Sequence, residues 1–324
     1  MKETQKIINT EIEPKGKFKR LLKFYLLPFW RDEEFLAKEY ELGKIKSKRK
    51  LFSRLYTPLT IIGVLLLLFI AICAVYASWL TPYSIYDLNA RPGTDPFAFP
   101  SAEHPLGTTV LGWDIYGRLI YGCRTALTAG LQAITISVIG GIIIGVISAY
   151  FGGKIDSIIM RIFDILIAFP TLILVLVFVN LYGSDLSNIL TVYGVLGIPS
   201  YARLVRSSVL QVKENLYVNA AKTSGSDNFR IMFSHILPNA ISPLIASVFS
   251  AIGFTILGIS ALAFLGFSDS SIIDWGTDIN VGRTRLFTKP WISLWPGIFV
   301  GITVLGFMLV GDGIRDAFDP KSKK

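Results

Sequence analysis

Six stretches of this 324-residue chain contain no Asp, Glu, Lys or Arg, and each is at least 17 residues long. A helix that crosses a lipid bilayer needs roughly 17 to 25 predominantly apolar residues, so each stretch predicts one membrane span. The fifth stretch is too long for one upright span. Its two prolines, Pro238 and Pro243, predict an irregular entry, with the membrane helix starting near Pro243. The stretches are residues 59–79, 125–151, 165–182, 186–202, 236–268 and 291–311.

The composition of the chain favours a membrane protein over a soluble one. Hydrophobic residues make up 52% and charged residues 17%, and the mean hydropathy is +0.54. Soluble domains contain about 25% charged residues. The alternative, buried helices of a soluble protein, would require six such helices in one chain. We therefore expect an all-α membrane protein with six transmembrane helices.

The basic residues are distributed unequally between the two sides that six spans define. With the N-terminus in the cytoplasm, 26 of the 32 Lys and Arg residues fall on the cytoplasmic side and 6 on the external side. Cytoplasmic loops carry such an excess, so both termini are predicted to be cytoplasmic. The net charge of +9 and the basic run at 44–50 (KIKSKRK) are then typical of contact with anionic lipid. We expect no nucleic-acid partner.

This topology divides the chain into four regions. Residues 1–58 form a charged cytoplasmic extension with a candidate helix over 31–48, and the first apolar run starts too late for a cleavable signal peptide. Residues 59–124 comprise the first transmembrane helix and an external segment rich in Pro and Gly, which we expect to be compact rather than helical. Residues 125–320 form a five-helix core, and residues 321–324 form a basic cytoplasmic tail.

The second span contains small residues at every fourth position: Ser137, Gly141, Gly145 and Ala149. This spacing allows close helix packing in lipid, and we expect it to help join the chain to a second membrane subunit. The two cysteines, Cys73 and Cys123, are expected at different depths, which predicts neither a disulfide nor a metal site.

Charged residues occur near the inner boundary of two predicted spans. Asp164 is expected to pair with Arg161, three residues before it in the chain. Arg203 and Arg206, at the end of the fourth span, are expected to act as anchors that extend toward the lipid headgroups.

A polar, helix-compatible segment at 218–243 reaches from the loop after the fourth apolar stretch into the start of the fifth. Residues 217–224 predict a short helix, and Gly225 permits the positive φ that ends it and turns the chain. Ser226 or Asp227 is then placed to cap a second helix. A short helix on such a turn is typical of a docking element for a soluble partner. The alternative is an amphipathic loop that lies on the membrane surface.

The second helix of this segment has its own signals. The amide of Phe229 or Arg230 is the expected partner of the cap. Pro238 restricts the entry into the fifth span, and His235 is expected to be a structural hydrogen-bonding residue rather than a pH switch. Four apolar residues are expected to hold the helix against the membrane domain: Ile231, Phe233, Ile236 and Leu237.

Several motifs, taken in order, resemble the permeases of the oligopeptide/dipeptide/nickel family of ATP-binding-cassette importers. The first half contains HPLGTT at 104–109, GWDIYGR at 112–118, IYG at 120–122, Asp156, MRIFDIL at 160–166 and AFP at 168–170. The second half contains SYARLVR at 200–206, NAA at 219–221, Gly225, HILP at 235–238, WG at 275–276, PW at 290–291, PG at 296–297 and GDGIRDAFDP at 311–320.

The resemblance extends from about residue 51 to residue 320 and is to the C-type subunit of these importers. Two positions depart from the family pattern. Asn219 stands where the family usually has Glu, and residues 112–118 replace a more acidic run.

The resemblance implies a role for the segment 218–243. It would be the cytoplasmic coupling loop between spans four and five, which docks on an ATPase. The implied partners are a second, B-type permease, cytoplasmic ATP-binding-cassette ATPase subunits, an external substrate-binding protein and membrane lipid, in the plasma membrane of a prokaryote. The implied coupling-loop residues are Asn219, Ala220, Ala221, Gly225, Ser226, Asp227, His235, Leu237 and Pro238.

The residues themselves limit the other function classes. The chain has no phosphate-binding loop, so another chain must hydrolyse ATP. The interiors of the spans lack the charges that ion-coupled secondary transporters place near the bilayer midplane. Neither HExxH nor GxSxG occurs, which argues against an intramembrane enzyme. We expect a non-enzymatic permease with no cofactor or metal. Oligopeptides or dipeptides are the favoured substrates, and oligosaccharides or nickel chelates are the alternatives.

Overall fold

A computed structural model of the chain describes residues 57–89, 95–269 and 272–318. Within these ranges the regular structure is helical, apart from a single antiparallel bridge between Thr108 and Asp114. The predicted helix over 31–48, the basic run 44–50 and the tail 321–324 lie outside the described residues. The expected all-α architecture is confirmed for the described part of the chain.

Thirteen α-helices and one π-helix are present in the described ranges. The π-helix spans Ile231–Ile236. The α-helices are α1 Pro58–Val75, α2 Ala77–Leu80, α3 Ile85–Asn89, α4 Ile115–Phe151, α5 Gly153–Ile167, α6 Thr171–Tyr182, α7 Leu186–Lys213, α8 Leu216–Thr223, α9 Asn228–Arg230, α10 Leu237–Ala240, α11 Ser242–Phe264, α12 Trp275–Arg283 and α13 Trp291–Phe318.

Four of these helices, α1, α4, α11 and α13, are long and apolar enough to cross a membrane. The pair α5 and α6 passes the same test only when taken together, and the two helices meet at 88°. The described residues therefore contain four such helices, or five if the bent pair counts as one span. The predicted start of the fifth span near Pro243 is confirmed, because α11 begins at Ser242.

Several predicted spans differ from the helices of the structure. The first span ends at Val75 rather than residue 79, and the stretch at 165–182 is bent at Pro170 rather than forming one straight helix. The second helix begins at Ile115, ten residues before the predicted residue 125, inside the segment that we expected to be non-helical. Its start is fixed by Asp114, whose Oδ2 accepts a hydrogen bond from the Gly117 amide at 2.6 Å.

The small-residue face of α4 packs against α7 of the same chain. A Cβ on Gly141 would lie 2.4 Å from Tyr201 Cβ, and one on Gly145 would lie 2.6 Å from the Ala202 carbonyl oxygen. Ser137 donates to the Gly194 carbonyl at 2.8 Å. The expectation that this face joins a second subunit is therefore wrong, because its residues are buried within the chain.

The two cysteines also differ from expectation. Cys73 of α1 and Cys123 of α4 belong to one buried cluster, and both are free thiols. They are therefore close to each other rather than at different depths.

The helix α4 connects two ends of the bundle. Near its start, Arg118 contacts Asp278 of α12. Near its end, Tyr150 contacts Asn228, which follows α8. We name these the α12 end and the α8 end.

Candidate functional site

The helix α8 presents one buried side and one exposed side at the α8 end. Val218 is fully buried among residues of α4 and α7, and Ala221 packs against the same cluster. Asn219 and Ala220 are exposed, and Leu216 is 86% exposed. Val218 and Ala221 therefore pack α8 against the bundle, and the opposite face of α8 is exposed.

The turn after α8 has the geometry that the sequence predicts. Gly225 has φ of +76°, and its amide donates to the Lys222 carbonyl at 3.1 Å. The Ser226 amide donates to the Ala221 carbonyl at 3.1 Å. These two bonds satisfy carbonyls that a helix end otherwise leaves without a partner. They require a positive φ at position 225, which Gly adopts without strain.

Asp227 caps the next segment. Its Oδ2 accepts a hydrogen bond from the Phe229 amide at 3.0 Å. Of the two predicted caps, Ser226 and Asp227, the structure confirms Asp227, and its partner is the Phe229 amide. After the single turn of α9, the backbone forms a π-helix instead of the regular helix that we expected. His235 lies in this π-helix, and its carbonyl accepts from Asn239 Nδ2 at 2.8 Å.

Apolar side chains hold the π-helix in the bundle. Ile231 and Ile236 are buried, and Phe233 and Leu237 pack against the same cluster, as predicted. Met232, which the sequence analysis did not single out, is also buried. Pro238 is exposed and lies in α10, at the entry to α11.

The end of α4 contacts α7 and the segment 218–243 through two residues that the sequence analysis missed, Lys213 and Tyr150. Lys213 Nζ donates to the carbonyls of Ala149 and Tyr150, at 3.1 and 2.8 Å, which places a positive charge at the C-terminus of α4. The Tyr150 hydroxyl donates to Asn228 Oδ1 at 2.6 Å. Lys222 of α8 lies over the Tyr150 ring, 5.8 Å from its centroid.

The exposed surface at the α8 end includes large apolar side chains. Leu216, Tyr217 and Phe229 are 86%, 43% and 65% exposed. Phe229 contacts Phe233, with ring centroids 4.6 Å apart. Leu216, Tyr217 and Phe229 form, with the exposed Asn219 and Ala220, a surface of apolar and small residues. We call these five residues the α8 surface. Exposed apolar groups of this kind mark sites of protein or membrane contact.

Two arginines near the end of α7 form ion pairs, which corrects the expectation that they serve as lipid anchors. Arg206 holds Asp156 of α5 through two bonds of 2.6 Å, and Ser148 of α4 also donates to that carboxylate. Arg203 pairs with Asp164. The expected pair between Asp164 and Arg161 is therefore wrong, because Asp164 faces α7.

A buried charge cluster lies at the α12 end. Arg118 Nε donates to Asp278 Oδ1 at 2.7 Å, and Arg118 Nη1 donates to the Leu88 carbonyl at 2.6 Å. Burial raises the pKa of Asp278 to about 6, and the charge of Arg118 offsets part of this rise. Burial also raises the pKa of Asp274, whereas hydrogen bonds from Gly276 and Thr277 lower it in part. The GWDIYGR motif includes Arg118, but no sequence signal pointed to its partner.

The predicted site residues therefore occupy three adjoining parts of one segment. Asn219, Ala220 and Ala221 lie on α8, Gly225 to Asp227 form the turn, and His235, Leu237 and Pro238 lie in the π-helix and α10. Within the described ranges, no cluster of three or more His, Cys, Asp or Glu residues is placed to hold a metal ion.

The fold is that of a multi-pass, all-helical membrane protein. Residues 141–324 match the family model described as binding-protein-dependent transport system inner membrane component. The chain belongs to this family. It is a permease subunit of an ATP-binding-cassette importer and not itself an enzyme.

Curated relatives cover most of the chain. The dipeptide transport system permease protein of Alkalihalophilus pseudofirmus is 39% identical over 266 residues, covering 82% of this chain and 86% of the relative. The glutathione transport system permease protein of Pectobacterium atrosepticum is 36% identical over 268 residues, with 81% and 86% covered. Among solved structures, the crystal structure of an amino acid ABC transporter with histidines has a TM-score of 0.48 and 14% identity, with 61% and 92% covered.

Proposed function

We propose that this chain forms, with a second permease, the path by which peptides of two or more residues enter a prokaryotic cell. An external binding protein delivers the peptide, and cytoplasmic ATPase subunits dock on the α8 surface. The observation that carries the ATPase contact is the exposed face of α8, held by buried Val218 and ended by Gly225. The peptide substrate is supported by relatives whose names refer to dipeptide and glutathione transport.

We propose six crossings of the plasma membrane, with both termini in the cytoplasm. The four apolar helices supply four crossings, the bent pair α5 and α6 the fifth, and α7 the sixth. The 28 residues of α7 extend about 42 Å, which exceeds the roughly 30 Å hydrocarbon core. The excess of basic residues at 1–58 and at 203–239 supports a cytoplasmic α8 end.

The coupling mechanism follows from how α8 is held. Its buried side packs on the ends of α4 and α7, and Arg206 joins α7 to α5 through Asp156. A partner that moves α8 would therefore displace these helices together rather than α8 alone. Closure of the ATPase subunits would become a rigid-body motion of the spans.

The function is tested by reconstituting the chain with its partner subunits in lipid vesicles. ATP hydrolysis is measured with and without the cognate external binding protein, and the molecule that this protein holds is identified by mass spectrometry. We expect hydrolysis to rise when the binding protein is loaded with peptide. An oligosaccharide or nickel chelate as its ligand would contradict the peptide assignment while leaving the importer assignment intact.

The topology is tested by labelling introduced cysteines in intact cells. Phe99 and Phe287 are 64% and 101% exposed and lie on the proposed external side, whereas native Cys73 and Cys123 are buried. We expect Phe99→Cys and Phe287→Cys to react with a membrane-impermeant reagent, and Phe229→Cys to be protected. The reverse pattern would contradict the proposed orientation.

A further inference from the structure

The two cysteines of the chain are in contact between α1 and α4. Cys73 lies in the last turn of α1, and Cys123 lies in the third turn of α4. Their thiols hydrogen-bond each other, and both belong to one buried cluster. The chain contains no other cysteine, so neither thiol has a competing partner within the chain. The pair therefore has the proximity that a disulfide requires.

The neighbouring residue Arg124 holds the two helices together at this level. Its Nε donates to the Ala74 carbonyl at 3.1 Å, and its Nη2 donates to the Val75 carbonyl at 3.4 Å. Ala74 follows Cys73 and Arg124 follows Cys123, so hydrogen bonds join the residues beside both thiols. The guanidinium also lies at the C-terminus of α1, where a positive charge is favourable. The relative position of the two thiols is thus fixed by contacts other than their own.

The pair is buried but lies close to the end of a helix. Cys73 and Cys123 are 3% and 0% exposed, whereas the adjacent Arg124 is exposed. Cys73 precedes the end of α1 by two residues, which is about 3 Å along the helix axis. In the proposed topology α1 ends on the external side, where conditions allow disulfides to persist. A small neutral oxidant therefore has a short route to the pair, while larger charged reagents are excluded.

Two adjacent thiols can also bind a soft monovalent metal ion as thiolates. Two thiolates and one such ion carry a net negative charge, which is costly in an apolar cluster that includes Ile70 and Leu119. No third His, Cys, Asp or Glu is placed to complete a metal site in the described part of the chain. A disulfide is neutral, so these surroundings favour it over a metal.

We propose that Cys73 and Cys123 form a redox modification site, which a small peroxide converts to a disulfide and a dithiol reductant converts back. The disulfide joins α1 to α4 on the external side of the bundle. The inference uses the proposed topology for the external location, and it does not depend on which substrate is imported.

The oxidation proceeds in two steps. The Cys73 sulfur, which is the more exposed of the two, attacks one peroxide oxygen. The O–O bond breaks, the thiol proton leaves with the second oxygen as water, and Cys73 becomes a sulfenic acid. The Cys123 sulfur then attacks the Cys73 sulfur, the S–O bond breaks, and a second water leaves with the Cys123 proton. The two thiols lose two electrons and the peroxide is reduced to two waters. A dithiol reverses the reaction by exchange and is itself oxidised to a disulfide.

The disulfide should stabilise the external side of the bundle. The loop that it closes contains α2, α3 and the Pro- and Gly-rich external segment up to the start of α4. Closing this loop restricts the unfolded chain, so the folded state gains relative stability. We expect oxidation to raise the unfolding temperature by about 5 °C or more.

The site is tested in the assembled importer in lipid vesicles. The vesicles are treated with hydrogen peroxide, remaining thiols are blocked, and peptides of this chain are analysed by mass spectrometry. We expect a linked pair of peptides containing Cys73 and Cys123, and we expect it to be absent when dithiothreitol follows the peroxide. If both thiols stay free, or if only separate sulfinic and sulfonic acids form, the inference is wrong.

The stabilising effect is tested on the solubilised protein. The unfolding temperature is compared before and after peroxide for the wild type, for Cys73→Ser and for Cys123→Ala. Only the wild type should gain stability, because each variant has a single thiol. Equal gains in all three would overturn the role of the disulfide. If the labelling experiment contradicts the proposed orientation, the external location fails, while the linked peptides still decide whether the disulfide forms.

Discussion

Arg118 and Asp278 are 160 positions apart in the chain, yet Nε of Arg118 donates to Oδ1 of Asp278 at 2.7 Å, and both side chains are buried. This contact joins the start of α4 to α12. Arg118 also lies over the Trp113 ring, 4.4 Å from its centroid. Asp278 Oδ2 has no hydrogen-bond partner within the described residues. The pair therefore fixes the α12 end but leaves part of the carboxylate unsatisfied.

We expect Asp278→Ala to destabilise the protein by about 3–5 kcal/mol, because it leaves the Arg118 guanidinium buried without its counter-ion. Thermal unfolding of the detergent-solubilised protein measures the effect. The double variant Arg118→Met with Asp278→Leu is the control, since replacing both charges by apolar groups should restore much of the lost stability. Equal losses in the single and double variants would contradict this account.

Stability should also depend on pH through Asp278. Burial raises its pKa in the fold to about 6, above the ordinary value of 3.8, so the folded state binds this proton more tightly than the unfolded state. The resulting stabilisation is present below about pH 4 and is lost as pH rises through about 6. The loss should be on the order of 1–3 kcal/mol.

This pH effect is measured as the unfolding temperature at several values between pH 4 and pH 7. Asp278→Asn should show a smaller fall than the wild type. Asp274 also has a raised pKa, so the difference between wild type and variant isolates the contribution of Asp278. Parallel curves for the two proteins would show that Asp278 does not titrate in this range.

The contact between α4 and α7 predicts that Gly145→Ala is destabilising. The added Cβ would lie 2.6 Å from a backbone oxygen of α7, so the helices must separate, at a cost of roughly 1–3 kcal/mol. Gly301→Ala in α13 is the matched control, because a Cβ there meets no atom within 4 Å. The control should be neutral or slightly stabilising. Thermal unfolding of both variants checks the prediction, which fails if the two behave alike.

We expect Gly225→Val to abolish substrate-stimulated ATP hydrolysis while leaving membrane insertion normal. A Val at φ of +76° is strained by roughly 1–3 kcal/mol, which would displace α8. Gly183→Val is the matched control, since Gly183 has φ of +97° but lies at the opposite end, between α6 and α7. Hydrolysis by the reconstituted importer is compared for both. If Gly225→Val keeps full substrate stimulation of ATP hydrolysis, this turn has no role in coupling.

The burial pattern of α8 indicates which further substitutions test its role in ATPase coupling without disturbing the fold. Ala221 packs against the core of its own chain, so an Asp there would disturb α8 itself. Ala220 is exposed, and Ala220→Asp should reduce ATPase stimulation without lowering the unfolding temperature. Asn219→Glu should be tolerated, because the side chain is exposed.

Local sequence signals determined those features that depend on neighbouring residues. A Gly at position 225 ends α8, because only a residue tolerant of positive φ fits that turn. Asp227 caps the following turn through an amide two residues away, and Pro243 marks the start of α11. The apolar stretches likewise located the long helices, since the hydrophobic period and the absence of charge are properties of the segment itself.

Contacts between distant residues were decided only by the tertiary structure. Asp164 could pair with Arg161 or with Arg203, and the packing of α5 beside α7 selected Arg203. The small-residue face of α4 predicted close packing, but only the fold identified α7 as the partner. The exposed polar residues of α7 are equally ambiguous in sequence, because a Ser or Thr in a membrane helix can be buried or exposed. Which neighbouring helices cover such a side chain depends on residues far away in the chain.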